Sequence, residues 1–168
     1  MPDHLIESVS DYTFTPITRA DLPMFKEWLA HPHIEGWWGE GGTEARLVED
    51  DLDKDVVDMR IVALGNTPFA YIQDYNAHAF AAPQYAHHPK DARAIDTFLG
   101  NPDFIGQGHG SGYIAARIAE LRRRYPVILT DPDPANTRAI AAYTRAGFRP
   151  DIVTHCEDGD PVQVMAYS

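Results

Sequence analysis

Four glycines fall within seven residues, Gly106-Gln107-Gly108-His109-Gly110-Ser111-Gly112, between an apolar run and an amphipathic one. Few folds accommodate that. Glycines let the backbone bend sharply and approach a ligand, and a helix opening at the bend aims its first N–H groups and its dipole there. The segment therefore reads as a strand-to-helix turn suited to a phosphate, or as a plain tight turn. No Gly-Lys-Ser/Thr follows, so it is not a Walker loop. It is also shorter in register than a dinucleotide fingerprint.

The flanking pattern alternates strands and helices. Tyr12 to Ile17 alternates and meets Pro16, as an edge strand would. Thr18-Arg19-Ala20-Asp21 resembles a capping box, and Leu22, Phe25, Trp28 and Leu29 give helical spacing over Ala20 to Ala30. Gly41-Gly42 is expected to separate this region from an acidic helix over Thr43 to Asp55. Strands are expected over Asp58–Leu64 and Phe69–Tyr75, joined by Gly65-Asn66. Residues 76–91 read as a loop and Ala94–Leu99 as a strand. A helix follows over Gly108–Arg123, with an apolar stripe of Tyr113, Ile114, Ile118 and Leu121. Val127–Thr130 is a short buried strand and Asn136–Ala146 a helix ended by Gly147. Phe148–His155 and Pro161–Tyr167 close the chain as paired strands around Glu157-Asp158-Gly159-Asp160. The fold class expected is α/β, mixed α+β, in one domain over residues 1–168, with helices on both faces of the sheet.

Bulk properties narrow the function. Asp and Glu number 25 against 14 Lys and Arg, a net charge of −11, which argues against nucleic acid as a partner and suits either plain solubility or the attraction of cationic small molecules. No apolar run approaches the ~20 residues needed to cross a bilayer. Residues 1–7 lack the basic and apolar segments of a secretory signal. One cysteine, Cys156, excludes an internal disulfide, so a cytoplasmic location is expected. The pairs His31/His33 and His87/His88 raise the question of a metal, but adjacent histidines do not easily face one ion, and no metal is expected.

A second motif follows one strand after the glycine loop: Asn136-Thr137-Arg138-Ala139-Ile140-Ala141-Ala142-Tyr143-Thr144-Arg145-Ala146-Gly147-Phe148. Gln-x-x-Gly-x-Gly paired with Asn-x-x-Ala-x-x-x-Tyr-x-x-x-Gly-Phe resembles the GNAT superfamily of acyl-CoA-dependent N-acyltransferases. Within it, His33 to Gly39, Tyr71 to Tyr75, Ile95-Asp96, Thr130 to Asn136 and Ala146 to Phe148 are similar, in the same order, to the aminoglycoside 6′-N-acetyltransferases. The resemblance implies a mixed, mostly antiparallel sheet splayed between its fourth and fifth strands, with acetyl-CoA as acyl donor in the splay.

It also implies roles. Gln107, Gly108, His109, Gly110, Ser111 and Gly112 would bind the CoA pyrophosphate. Phe98 and Leu99 would offer strand backbone to the pantetheine arm. Asn136 and Ala139 would contact CoA from the helix start, where Asn136 is also a natural N-cap. Tyr143 would protonate the departing thiolate, or be a half-buried aromatic of the core. Asp96 interrupts an apolar strand, where a carboxylate is costly unless paired or functional. By resemblance it would take the proton of the acceptor ammonium; otherwise it faces solvent at an edge. Glu35, Trp37, Trp38, Gln73, Tyr75, Asp131 and Asp158 would join Asp96 in binding the acceptor.

Residues 76–90 depart from the aminoglycoside enzymes, whose corresponding loop is acidic. Here there is no carboxylate before Asp91, and His78, His87, His88 and Lys90 are present. The acceptor therefore stays open between an aminoglycoside-like amine and a siderophore precursor, polyamine or protein N-terminus. A non-catalytic acyl-CoA sensor is a third reading.

Overall fold

The computed structural model describes residues 11–168; the reading of residues 1–7 lies outside them. Among the described residues are seven strands and four α-helices. In chain order these are β1 (Tyr12–Pro16), α1 (Leu22–Leu29), α2 (Gly41–Asp51), β2 (Val57–Leu64), β3 (Thr67–Asn76), β4 (Arg93–Leu99), α3 (His109–Leu121), β5 (Ile128–Thr130), α4 (Thr137–Ala146), β6 (Arg149–His155) and β7 (Pro161–Tyr167). The strands form one sheet in the order β1-β2-β3-β4-β5-β7-β6. β1 pairs antiparallel with β2, as does β7 with both β5 and β6. β4 and β5 run parallel and share only two register positions, Arg93↔Ile128 and Ala94↔Leu129. The mixed, mostly antiparallel fold expected from the sequence is thus present, and pairing is briefest between the fourth and fifth strands.

Two compact units emerge from the packing. One comprises the described residues up to Gln73 with Thr97–His109, the other Asp74–Asp96 with Gly110–Ser168. The first is built on aromatic packing: Phe25, Trp28, Tyr71 and Phe98 are buried with Ile17, Leu29, Ile34, Ala45, Val48, Met59 and Ile61. Phe25 meets Tyr71 edge-on at 4.9 Å between centroids, a favoured quadrupole geometry. The second buries Ala77, Ala82, Tyr85, Ala92, Ala94, Leu129, Val162 and Val164 together.

Local rules explain most element boundaries. Thr18 N–H donates to Asp21 Oδ2 at 2.8 Å, so Asp does take the place of Glu in the box. Helix α2 begins two residues before the expected Thr43. The Glu40 carboxylate accepts from the N–H groups of Gly42 and Thr43, capping the helix and drawing Gly41-Gly42 into its first turn. In α3 the expected stripe of Tyr113, Ile114, Ile118 and Leu121 is buried, and Arg117 is buried with it. Arg117 Nη2 reaches Asp74 Oδ1 at 3.1 Å, while Arg93 Nε holds Asp74 Oδ2 at 2.7 Å. A buried carboxylate held by two guanidiniums has its charge balanced and its lone pairs filled.

Gly147 ends α4 with φ +113°, and a Cβ there would lie 2.5 Å from the Tyr167 ring. Gly147→Ala should therefore destabilise the fold by at least about 1–3 kcal/mol from backbone strain alone, with the clash added. Chemical denaturation of the variant measures this.

Candidate active site

Strand β4 stands fourth of seven, so Asp96 is in mid-sheet and not at a solvated edge. Tyr75, on β3, donates its hydroxyl to Asp96 Oδ2 at 3.0 Å. Asp131 follows the end of β5. The side-chain amide of Gln84 donates to Asp131 Oδ2 at 2.9 Å and to Glu157 Oε1 at 3.1 Å. Asp96, Asp131 and Glu157 thus gather around Tyr75, Gln84 and Tyr85, all within the second unit.

The electrostatics follow from crowding three carboxylates. Burial, then the neighbouring charge of Asp96, pushes the Asp131 carboxyl up to about 7, against opposing hydrogen bonds from Gln84 and Tyr85. Burial and the same carboxylates hold the Tyr75 and Tyr85 phenols far above their usual range, so both stay protonated. The buried Gln84 Oε1 has no strict hydrogen-bond partner among the described residues, and the Tyr85 hydroxyl, beside Asp131, lacks one of good geometry. Buried polar atoms left this way belong where a ligand or water completes them. Such a gathering of carboxylates has the chemistry to receive a cation.

Two features here escaped the sequence reading. Asp158 is exposed in the β6–β7 turn, and it is its neighbour Glu157 that joins Gln84. The turn is closed by Gly159 N–H donating to Cys156 C=O at 2.9 Å, and Glu157 and Asp158 are both exposed on it. The loop after β3, for all its lack of acids, supplies Gln84 and Tyr85. Pro83 starts the short 3₁₀ turn that buries both.

The Asp131 shift has a consequence for stability. A carboxyl raised in the folded state binds its proton more tightly than the unfolded chain does. Its contribution to stability is full below about pH 4 and is lost as pH rises through about 7. Asp131→Asn should therefore gain stability over wild type by up to roughly 4 kcal/mol at pH 8 compared with pH 4, less to the extent that Asp96 shares the proton. Thermal melts of both proteins across that range check it.

Tyr143 lies in the same unit, buried on α4. Its ring meets Phe148 edge-on at 5.4 Å. Burial raises its phenol well above the ordinary value; a hydrogen bond with Thr130 opposes this, and Asp96, Tyr113 and Asp131 add to it. Asn136 caps α4, its side-chain oxygen accepting from Ala139 N–H at 3.2 Å. That leaves the Asn136 amide NH₂ as the part suited to a ligand. A Cβ on Gly110 would sit 3.8 Å from Ala142, an ordinary van der Waals contact, so α3 and α4 lie side by side there with room for a small side chain.

In the first unit, Gly106 and Gly108 adopt φ +77° and +82°, and a Cβ on either would meet nothing within 4 Å. Left-handed glycines with open space above them are what a cradle for a bulky anion needs, so the loop fits a CoA pyrophosphate. Gln107 Nε2 donates to Asp103 C=O at 2.8 Å. The His109 ring turns back to the Tyr12 hydroxyl at 2.9 Å, which leaves backbone as its part in any cradle. Phe98 is core, with Trp38 packed edge-on at 4.9 Å. The Leu99 carbonyl accepts from His33 Nε2 at 2.8 Å. Gln73 Oε1 accepts from the Tyr71 hydroxyl at 2.6 Å. Trp37 is exposed, as is Glu35, whereas Trp38 is half-buried, so one of the paired tryptophans is partly core.

The chain is similar to known acetyltransferases. The family described as acetyltransferase (GNAT) domain matches residues 18–154. Aminoglycoside N(6′)-acetyltransferase type 1 of Klebsiella pneumoniae is 33% identical over 165 residues, covering 91% of this chain and 81% of its own. The solved structure of AAC(6′)-Ib with paromomycin and acetyl-CoA superposes with a TM-score of 0.81 at 29% identity, covering 95% of this chain and 94% of that one. The same enzyme with coenzyme A and kanamycin gives 0.79 at 29% identity, with 94% of each chain covered.

Proposed function

We propose that this chain, which belongs to the GNAT family of acetyltransferases, acetylates the 6′-amine of an aminoglycoside with acetyl-CoA. The observation that carries the reading is the gathering of Asp96, Asp131 and Glu157 around Tyr75, Gln84 and Tyr85. An amino sugar is polycationic, and a site holding several carboxylates together both attracts and orients it. A non-catalytic sensor would need neither this cluster nor the buried Tyr143.

Acetyl-CoA supplies an activated acetyl thioester. Gln107, Gly108, His109, Gly110, Ser111 and Gly112 bind its pyrophosphate through backbone N–H groups, with Asn136 and Ala139 at the start of α4 and the backbone of Phe98 and Leu99 completing the donor site. Asp96 accepts a proton from the acceptor ammonium, directly or through water, so that the free amine attacks. Asp131 and Glu157 hold other ammonium groups, with Asp158 beside Glu157 on the same turn, and Tyr75 fixes the Asp96 carboxylate. Glu35, Trp37, Trp38 and Gln73 are assigned to the sugar rings. Tyr143, kept protonated by burial, delivers its proton to the thiolate. No residue need act as nucleophile, and the half-buried thiol of Cys156 has no part. The whole chain acts as one catalytic domain, placed in the cytoplasm.

The test is thiol release from acetyl-CoA with a panel of kanamycin, ribostamycin, spermidine and a peptide N-terminus. Turnover with the aminoglycosides at the highest kcat/KM is expected. Preference for spermidine or the peptide would reassign the acceptor within the same chemistry.

A further inference from the structure

We propose that His87, His88 and Asp151 form a binding site for one divalent transition-metal ion, typified by Zn²⁺, that clasps residues 77–91 to strand β6. The sequence reading expects that adjacent histidines do not easily face one ion, yet these two rings converge on one carboxylate oxygen. His87 Nε2 lies 2.9 Å and His88 Nε2 2.8 Å from the same Asp151 Oδ2. The rings stand side by side, 4.2 Å between centroids and tilted by 42°. All three ligand atoms lie within 4.8 Å of one another. Around a tetrahedral Zn²⁺ with bonds of about 2.0–2.1 Å, ligand atoms are roughly 3.3 Å apart. The two nitrogen–oxygen pairs need to spread by only about half an ångström to reach that spacing.

The set has the chemistry of a borderline-soft cation: two imidazoles and one carboxylate. Side-chain exposures of 49% for His87, 14% for His88 and 28% for Asp151 leave an open side for water as a fourth ligand.

The backbone places these groups. Between Pro150↔Met165 and Val153↔Gln163, β6 carries one residue more than β7, and Asp151 sits in that bulge. A bulge re-aims side chains off the regular alternation. On the other side, His78 Nε2 contacts the carbonyl oxygens of His88 at 3.2 Å and Pro89 at 2.9 Å, tying down the segment that carries the pair. The same segment holds Gln84 and Tyr85, so an ion here steadies the acceptor cradle. No step of acetyl transfer uses His87, His88 or Asp151.

Calorimetric titration of the full chain with ZnCl₂ after chelator treatment tests the site, with the visible spectrum of added Co²⁺ reporting coordination. Stoichiometric binding is expected. Losing a mere outer partner costs a metal site about 10–100-fold, so Asp151→Asn should weaken affinity at least tenfold. The double variant His87→Ala/His88→Ala should lose it altogether, and His31→Ala/His33→Ala should bind as wild type. His88→Gln gives the same reading should Asp151→Asn fold poorly by circular dichroism. Wild type binding no Zn²⁺, binding unchanged in both Asp151→Asn and His88→Gln, or binding lost in His31→Ala/His33→Ala would overturn the proposal.

Discussion

Asp96→Asn should lower kcat for aminoglycoside acetylation by about 10²–10⁴-fold, the span of a lost general base. The amide keeps the shape and can still accept from the Tyr75 hydroxyl, now at 3.0 Å from the carboxylate. It cannot take a proton. Amines of the acceptor are mostly ammonium at neutral pH, so the variant must wait for the small free-amine fraction. Its residual rate should therefore climb with pH, and the gap to wild type should narrow on the alkaline side. Asp131 would retain part of the cationic binding, so KM for the acceptor should change less than kcat. Steady-state rates at saturating acceptor across pH 6–9 measure this (an interval of roughly three decades in free amine). A loss under about tenfold with a flat profile would remove Asp96 from the role of base.

Tyr143→Phe should cost kcat about 10²-fold, near the lower end for a general acid, because a thiolate leaves without much help. The phenyl ring preserves the packing against Phe148. Thr130 keeps its own bond to the Ile95 carbonyl at 3.0 Å. Stability should thus change little, and KM for acetyl-CoA should hold. Were Tyr143 only a core aromatic, kcat would stay within a few-fold of wild type. Near-zero thioester cleavage in both proteins, with CoA binding intact, would favour the sensor reading.

The features legible in the sequence are those set by local rules. Asn136 caps α4, Gly147 closes it in the left-handed region, and Gly65 turns the chain between β2 and β3 with φ +60°. Each follows from what one residue can do to its own backbone. The α2 start was misplaced because Glu40, an unusual cap, does the work of Ser or Asp. Partnerships formed across long separations were not legible. Gln84 finds Asp131 and Glu157 across 47 and 73 residues. Nothing near Gln84 announces this, and nothing in the turn Glu157-Asp158-Gly159-Asp160 marks Glu157, where the sequence reading named Asp158, as the residue that reaches Gln84. Arg117, on an apolar stripe, is buried only because Asp74 waits for it. The convergence of His87 and His88 depends on a bulge in a strand some 60 residues away.

The most direct test of the account is the product formed from kanamycin and acetyl-CoA by the wild-type protein, identified by mass spectrometry and NMR. A single acetyl group on the 6′-nitrogen is the expected result. No acetylated aminoglycoside, or acetyl on another nitrogen, would contradict it.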